Sequence, residues 1–185
     1  MPEVDAVANG SSIIPYASGQ PISIEANDAG IAMTAGLIGF GHSTFPVRLL
    51  GGPSIDLTGS VGALLDFAFS TSRAGTITSL SGFFSLVKRP ALGKGTAVVR
   101  FEIWSADPTS ATPNTFTPTG AFVDLPAYTG SPSLGSAQHA INNSFAPVII
   151  APELRLLHVV TLITTEQHTT TTLDGYASAG IEIKS

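Results

Sequence analysis

The sequence predicts an all-β domain of roughly ten short strands: a sandwich, a jelly roll or a barrel. Strand-length runs rich in β-branched and aromatic residues recur from Ser12 to the last residue. Gly, Pro, Asn and Ser punctuate these runs. No segment offers a long, capped, amphipathic helix, and 19 Gly with 13 Pro oppose one. A chain of 185 residues fits one domain.

Residues 1–11 are small or polar without periodicity and read as an arm or linker remnant, leaving 12–185 as the domain. Ser12–Ala17 and Ile22–Glu25 open the β pattern, and Ile31–Phe40 follows, interrupted by Gly36 and Gly39. The uncharged stretch from Ala29 to Val47 is too short and too broken by Gly and Pro46 to span a bilayer. Leu64–Ser70, Thr76–Val87 and Thr96–Ser105 come next. In the last of these, Val99-Arg100-Phe101-Glu102-Ile103 alternates apolar and charged residues, so one side is wet. Between Asp107 and Gly135, Pro108, Pro113, Pro118, Pro126 and Pro132 leave long loops around a short strand, Ala121–Leu125.

Val148–Ile150, Arg155–Thr165 and Gly175–Ile183 complete the set. Leu156 to Ile163 is apolar on both faces. In a lone two-layer sandwich one of those faces would be open, so the sequence predicts another subunit over it. In the final strand Ala177, Ala179, Ile181 and Ile183 lie on one side, and Tyr176, Ser178, Gly180, Glu182 and Lys184 on the other. Its small residues would allow close approach. The expected subunit interface is therefore Leu157, His158, Val159, Tyr176, Ala177, Ser178 and Ala179, and Asp at 157 or 159 is expected to dissociate the assembly.

Charged residues are only 11% of the chain, against about 25% in ordinary soluble domains. A surface so short of ions also points to subunit contacts. The net charge of -5 and the scattered Lys and Arg exclude a basic nucleic-acid footprint. Without cysteine there is neither a disulfide framework nor a thiolate metal site. The start, Met1-Pro2-Glu3-Val4-Asp5, lacks the basic and apolar regions of a secretory signal.

Cues for chemistry are weak. Ser85-Leu86-Val87-Lys88 has serine-x-x-lysine spacing, but on a strand the two side chains diverge. Gly93-Lys94-Gly95-Thr96 lacks the rest of a phosphate loop and reads as a hairpin turn. The glycines from Gly36 to Gly41 fit close packing better than dinucleotide binding. His42, His139, His158 and His168 include no pair at metal-ligand spacing. Asp56, Asp66, Asp107, Asp124 and Asp174 fall mostly near turns. Asn9-Gly10-Ser11 and Asn142-Asn143-Ser144 match the N-glycosylation pattern, and Thr169 to Thr172 could carry O-linked sugar. No nucleophile, base and orienting group come together, so no enzyme, cofactor or metal is expected.

Several phrases, in order, carry a resemblance to a known family. They are Ser11-Ser12-Ile13-Ile14-Pro15-Tyr16-Ala17-Ser18-Gly19, Ile38-Gly39-Phe40-Gly41, Ile55-Asp56-Leu57-Thr58-Gly59 and Asp66-Phe67-Ala68-Phe69-Ser70. Arg73-Ala74-Gly75-Thr76-Ile77-Thr78-Ser79-Leu80, Asn114-Thr115-Phe116-Thr117-Pro118 and Gly175-Tyr176-Ala177-Ser178-Ala179-Gly180-Ile181 continue the series. Together they resemble the C-terminal domain of BclB-type exosporium glycoproteins, collagen-like surface proteins of spore-forming Firmicutes.

The resemblance implies a jelly roll like that of tumour necrosis factor and the complement globular head, assembled as a homotrimer. It also implies a structural role at the tip of a spore-surface filament, outside the cell. Implied partners are other copies of the chain, a stalk or exosporium protein, and a glycan or host surface. His158 would then approach a three-fold axis, where three copies could bind an ion or respond to pH. No Gly-X-Y repeat precedes the domain, so a collagen stalk is implied by kinship alone. The rival expectation is a carbohydrate- or protein-binding module using loops at Asp107 to Gly135 or Gln138 to Asn143.

Overall fold

The computed structural model describes residues 10–49, 54–58, 67–166 and 169–185. Along these residues the strands are β1 (Ser11–Ala17), β2 (Ile22–Ala26), β3 (Ala32–Ile38), β4 (Ser43–Arg48), β5 (Ile55–Asp56), β6 (Phe69–Ser70) and β7 (Gly75–Leu86). The second half contributes β8 (Gly93–Ala106), β9 (Thr115–Asp124), β10 (Tyr128–Gly130), β11 (Ala137–Asn142), β12 (Val148–Ile150), β13 (Arg155–Thr165) and β14 (Thr171–Lys184). The protein is all-β. Among the described residues no helix is long and apolar enough to cross a membrane.

β12 and β13 have the bounds the sequence predicts, and most others agree within a few residues at each end. Of Leu64–Ser70, only Phe69–Ser70 is strand; 64–66 lie outside the described residues. β9 begins six residues before the expected Ala121, running through Pro118. That proline is tolerated because the β8 pairing is irregular there, slipping between Glu102 and Trp104. The sequence reading also omits the short β5 and β10, β4, which contains Pro46, and β11, whose Ala-Gln-His-Ala-Ile-Asn is too polar to look like a strand.

All named strand pairs are antiparallel, in the order β11-β7-β14-β2-β3-β13-β8-β9-β5. β14 carries β7 along one edge, with β2 and then β1 along the other. β13 likewise carries β8 along its whole length, and β3 and β6 opposite. The ladder turns from one layer to the other where β2 meets β3 across a register shift.

The two layers close on one core. Leu80 and Phe84 of β7 and Ala177 and Ile181 of β14 pack with Val99 and Phe101 of β8 and Val160 and Leu162 of β13. Alternation explains the choice, since every second residue of each strand faces inward. Gly82 allows the layers to meet: a Cβ there would lie 2.8 Å from the Phe101 ring.

The outer face of β13 is covered as well, by its own chain. Leu157 and Val159 pack with Leu37 of β3, Val47 of β4, Leu57, Phe67 and Phe116 in a second apolar cluster. Both have no exposed surface in the single protomer. The sequence inference that another subunit must shield this face is therefore corrected: residues 35–49, 55–57 and 67–68, brought back over β13, supply the cover together with Phe116.

Val159→Asp or Leu157→Asp is consequently expected to unfold the protomer and not to release folded subunits. A buried, unpaired carboxylate costs about 3 kcal/mol or more. Urea denaturation followed by circular dichroism should show the loss of stability.

Candidate functional site

With β13 enclosed, the open apolar surface lies on the other layer, where β1, β14, β7 and β11 turn their outward side chains to solvent. Strand register arranges these side chains in rows. Tyr176 stands beside Ser85 and Ala137, and Ser178 beside Phe83 and His139. In the next row Pro15, Gly180, Ser81 and Ile141 lie side by side, and then Ile13, Glu182 and Ser79. Ile13 is 75% exposed, Ile141 70%, Tyr176 49% and Phe83 41%, which is high for residues that normally seek a core.

Small side chains in the middle and larger ones around them make a hollow of about 650 Å³, lined by Ile13, Pro15, Ser81, Phe83, Ile141 and Gly180. Tyr176 stands outside it, four residues along β14 from Gly180. Between Asp174 and Glu182, the described outward residues of this face include no carboxylate, ammonium or guanidinium.

The charges at its two ends are already satisfied. At one, Glu182 accepts hydrogen bonds from the Ser11 hydroxyl (2.7 Å) and the Thr78 hydroxyl (2.9 Å), with Lys184 at 3.8 Å. These hydroxyls, Ser11 first, hold its carboxyl below the usual range. At the other end Lys88 lies 3.7 Å from Asp174.

Of the residues the sequence nominated, Tyr176 and Ser178 lie on this face, and half-buried Ala179 borders the hollow. Ala177 points into the core, and Leu157, His158 and Val159 are fully enclosed. Ile13, Phe83 and Ile141 escaped the sequence reading. The signal available was the pattern Ser81-x-Phe83-x-Ser85, a large apolar residue on an otherwise polar strand face.

His158 faces the space between the layers, edge-on to Tyr16 at 4.5 Å between ring centres and to Phe101 at 5.8 Å. The expectation that it approaches a symmetry axis is corrected, because three copies of a side chain sealed inside separate protomers cannot meet. Neither imidazole nitrogen has a hydrogen-bond partner, nor does the Tyr16 hydroxyl. Burial pushes the imidazole down to about 3 and the phenol up, so both are neutral near pH 7.

The remaining cues take structural places. Lys88 is drawn to Asp174 and away from Ser85, and Gly93 to Thr96 form the opening of β8 instead of a hairpin turn. Asp56 and Asp107 accept backbone hydrogen bonds from Thr58 and Thr109, as turn residues do. Gln138 to Asn142 are strand and not loop. The Asn142 amide donates to the Phe122 carbonyl at 2.7 Å, which ties down the group a sugar would use. His42 stacks on Phe67; His168, Asn9 and Asp66 lie outside the described residues. Among the described residues no three His, Asp or Glu side chains come together to hold a metal ion. No family model and no curated protein sequence matches the chain.

The sealed imidazole predicts acid sensitivity. Above pH 6.5 His158 is neutral in both folded and unfolded chains and contributes nothing. Below it the unfolded chain takes up a proton that the folded one refuses until about pH 3, so stability falls by up to 1.4 kcal/mol per pH unit, on the order of 4–5 kcal/mol in total. In His158→Leu, urea midpoints measured between pH 7 and 4 should fall less steeply than in the wild type.

Proposed function

We propose that the chain is a structural, non-catalytic head domain that assembles with two copies of itself through the outer face of β1, β14, β7 and β11. The uncharged, partly apolar state of that face carries this reading. Soluble monomers rarely leave such a surface open, whereas a face without ions can be dehydrated by a second copy at little electrostatic cost.

The asymmetry of the face supports a head-to-tail contact around an axis, and the family phrases are what favour three copies. Tyr176 projects from one end and the hollow lies near the other, so the knob of one copy meets the hollow of the next. Such a heterologous contact generates a ring when its rotation closes, and in a trimer the three faces would turn to a common axis.

Strand adjacency supports a jelly roll of the tumour-necrosis-factor type. One layer reads β1/β2, β14, β7, β11 and the other β3, β13, β8, β9, so the chain crosses between layers from β2 to β3, β7 to β8, β9 to β11 and β13 to β14. The family phrases carry the rest of the reading, a domain at the tip of a spore-surface filament. There it would hold three chains together and present its loops outward.

Light scattering should give three times the 18.9 kDa chain mass. Phe83→Asp buries one unpaired charge per subunit in the interface and is expected to yield a folded monomer, with a cost of several kcal/mol per trimer. Gly180→Leu should act similarly by filling the hollow. A Cβ there meets only ordinary contacts, 3.4 Å to Ser81 Oγ and 3.8 Å to Ile13, so the fold tolerates it. A wild-type monomer, or variants that remain trimeric, would refute the assignment.

A further inference from the structure

The second layer has an open concavity of its own, unrelated to the self-association face. Where β3 leaves β13 to join β2, the outer surface bends into a groove of about 1040 Å³, with Met33, Phe45 and Pro46 on one side and Trp104 and Pro118 on the other. Met33 is 43% exposed, so the apolar wall is open to solvent.

The charges in this groove are nearly balanced. Glu25, Thr34 and Arg48 stand in one cross-strand row, contributing one charge of each sign at the rim. Arg100 binds Asp124 through two parallel hydrogen bonds of 2.7 and 2.8 Å, and its guanidinium lies 4.4 Å over the Phe122 ring. Pairing on one side and stacking on the other commit this cation.

Glu102 is left over. It is half-buried on the same strand and accepts a hydrogen bond from the neutral indole N–H of Trp104 at 2.9 Å. Desolvation raises its pKa, and the Trp104 hydrogen bond and Arg100 offset this only in part. A carboxylate so placed, with acceptor capacity to spare, is neutralised best by a cation from outside. The adjoining apolar wall suits an alkyl stem, because long basic side chains bury their methylenes along apolar surface while the charged head seeks a partner.

We propose that this groove binds a lysine or arginine side chain presented by a partner polypeptide, with Glu102 receiving the cation and Met33, Phe45 and Pro46 flanking the stem. A metal ion fits less well, since among the described residues no three His, Asp or Glu side chains gather to cage one. An anionic ligand would meet Glu102 and gain only Arg48.

Trp104 is the only tryptophan of the chain, so its fluorescence reports directly on its Glu102 partner. The full chain is titrated with N-acetyl-lysine amide and, separately, with N-acetyl-norleucine amide, which has the stem without the charge. The lysine probe should shift the emission saturably and the norleucine probe should not. Glu102→Gln keeps an acceptor for the indole and should weaken the lysine response at least about tenfold. Met33→Lys, at an exposed position, should also weaken it by placing a tethered ammonium in the groove, and it serves if Glu102→Gln does not fold. No response to lysine, an equal response to norleucine, or undiminished binding in the folded variants would overturn the proposal.

Discussion

Burial of β13 on both faces is the constraint around which the rest of the molecule is arranged. Inward, Leu156, Val160 and Leu162 join the core between the layers; outward, Leu157 and Val159 lie beneath the chain's own β3, β4 and following segments. Each such side chain contributes about 1.5–3 kcal/mol when removed from water, which holds the covering segments onto the strand. The full-length pairing of β13 with β8 fixes the register of the second layer. The same enclosure accommodates His158, which can remain without a hydrogen-bond partner only because its neutral form is held there by surrounding packing.

This enclosure divides the work between the two layers. The second layer shields itself and, where β3 diverges, leaves a groove of mixed character. Among the described residues nothing is folded back over the outward rows of Ser, Gly, Pro, Ile and Phe on the first layer, the face through which we propose that copies associate. Low overall charge and the position of the charges then make sense together: the carboxylates Asp174 and Glu182 stand at the ends of the open face and are paired or hydrogen-bonded there.

Much of the fold is legible in the sequence because period-two alternation is a local property. Val99 to Ile103 and Ala177 to Lys184 show it: Val99, Phe101 and Ile103 are the buried members of the first, and Ala177, Ile181 and Ile183 those of the second. β11 was not legible, since three of its six residues face solvent beside β7 and its polarity resembles a loop. β4 was hidden by Pro46, which is admissible because, among the described residues, β4 pairs with β3 alone and its other edge has no ladder partner. The site was legible only in part. Alternation says which residues share a face, but what covers that face depends on where distant segments land. Leu157 and Val159 were therefore assigned to another subunit, although Leu37, Phe67 and Phe116, far apart in sequence, cover them. The sequence nominated Tyr176 and Ser178 together with Ala177, which points inward; Phe83 and Ile141 become neighbours of that strand only through pairing.

The absence of cysteine makes thiol labelling the most direct measurement, using Val159→Cys and Phe83→Cys in separate chains across a dilution series. A cysteine at 159 should stay unreactive at every concentration at which the protomer is folded, and one at 83 should be protected in the assembled protein and react on dilution to monomer. Protection at 159 that disappears on dilution, or a cysteine at 83 that reacts equally at all concentrations, would contradict the account.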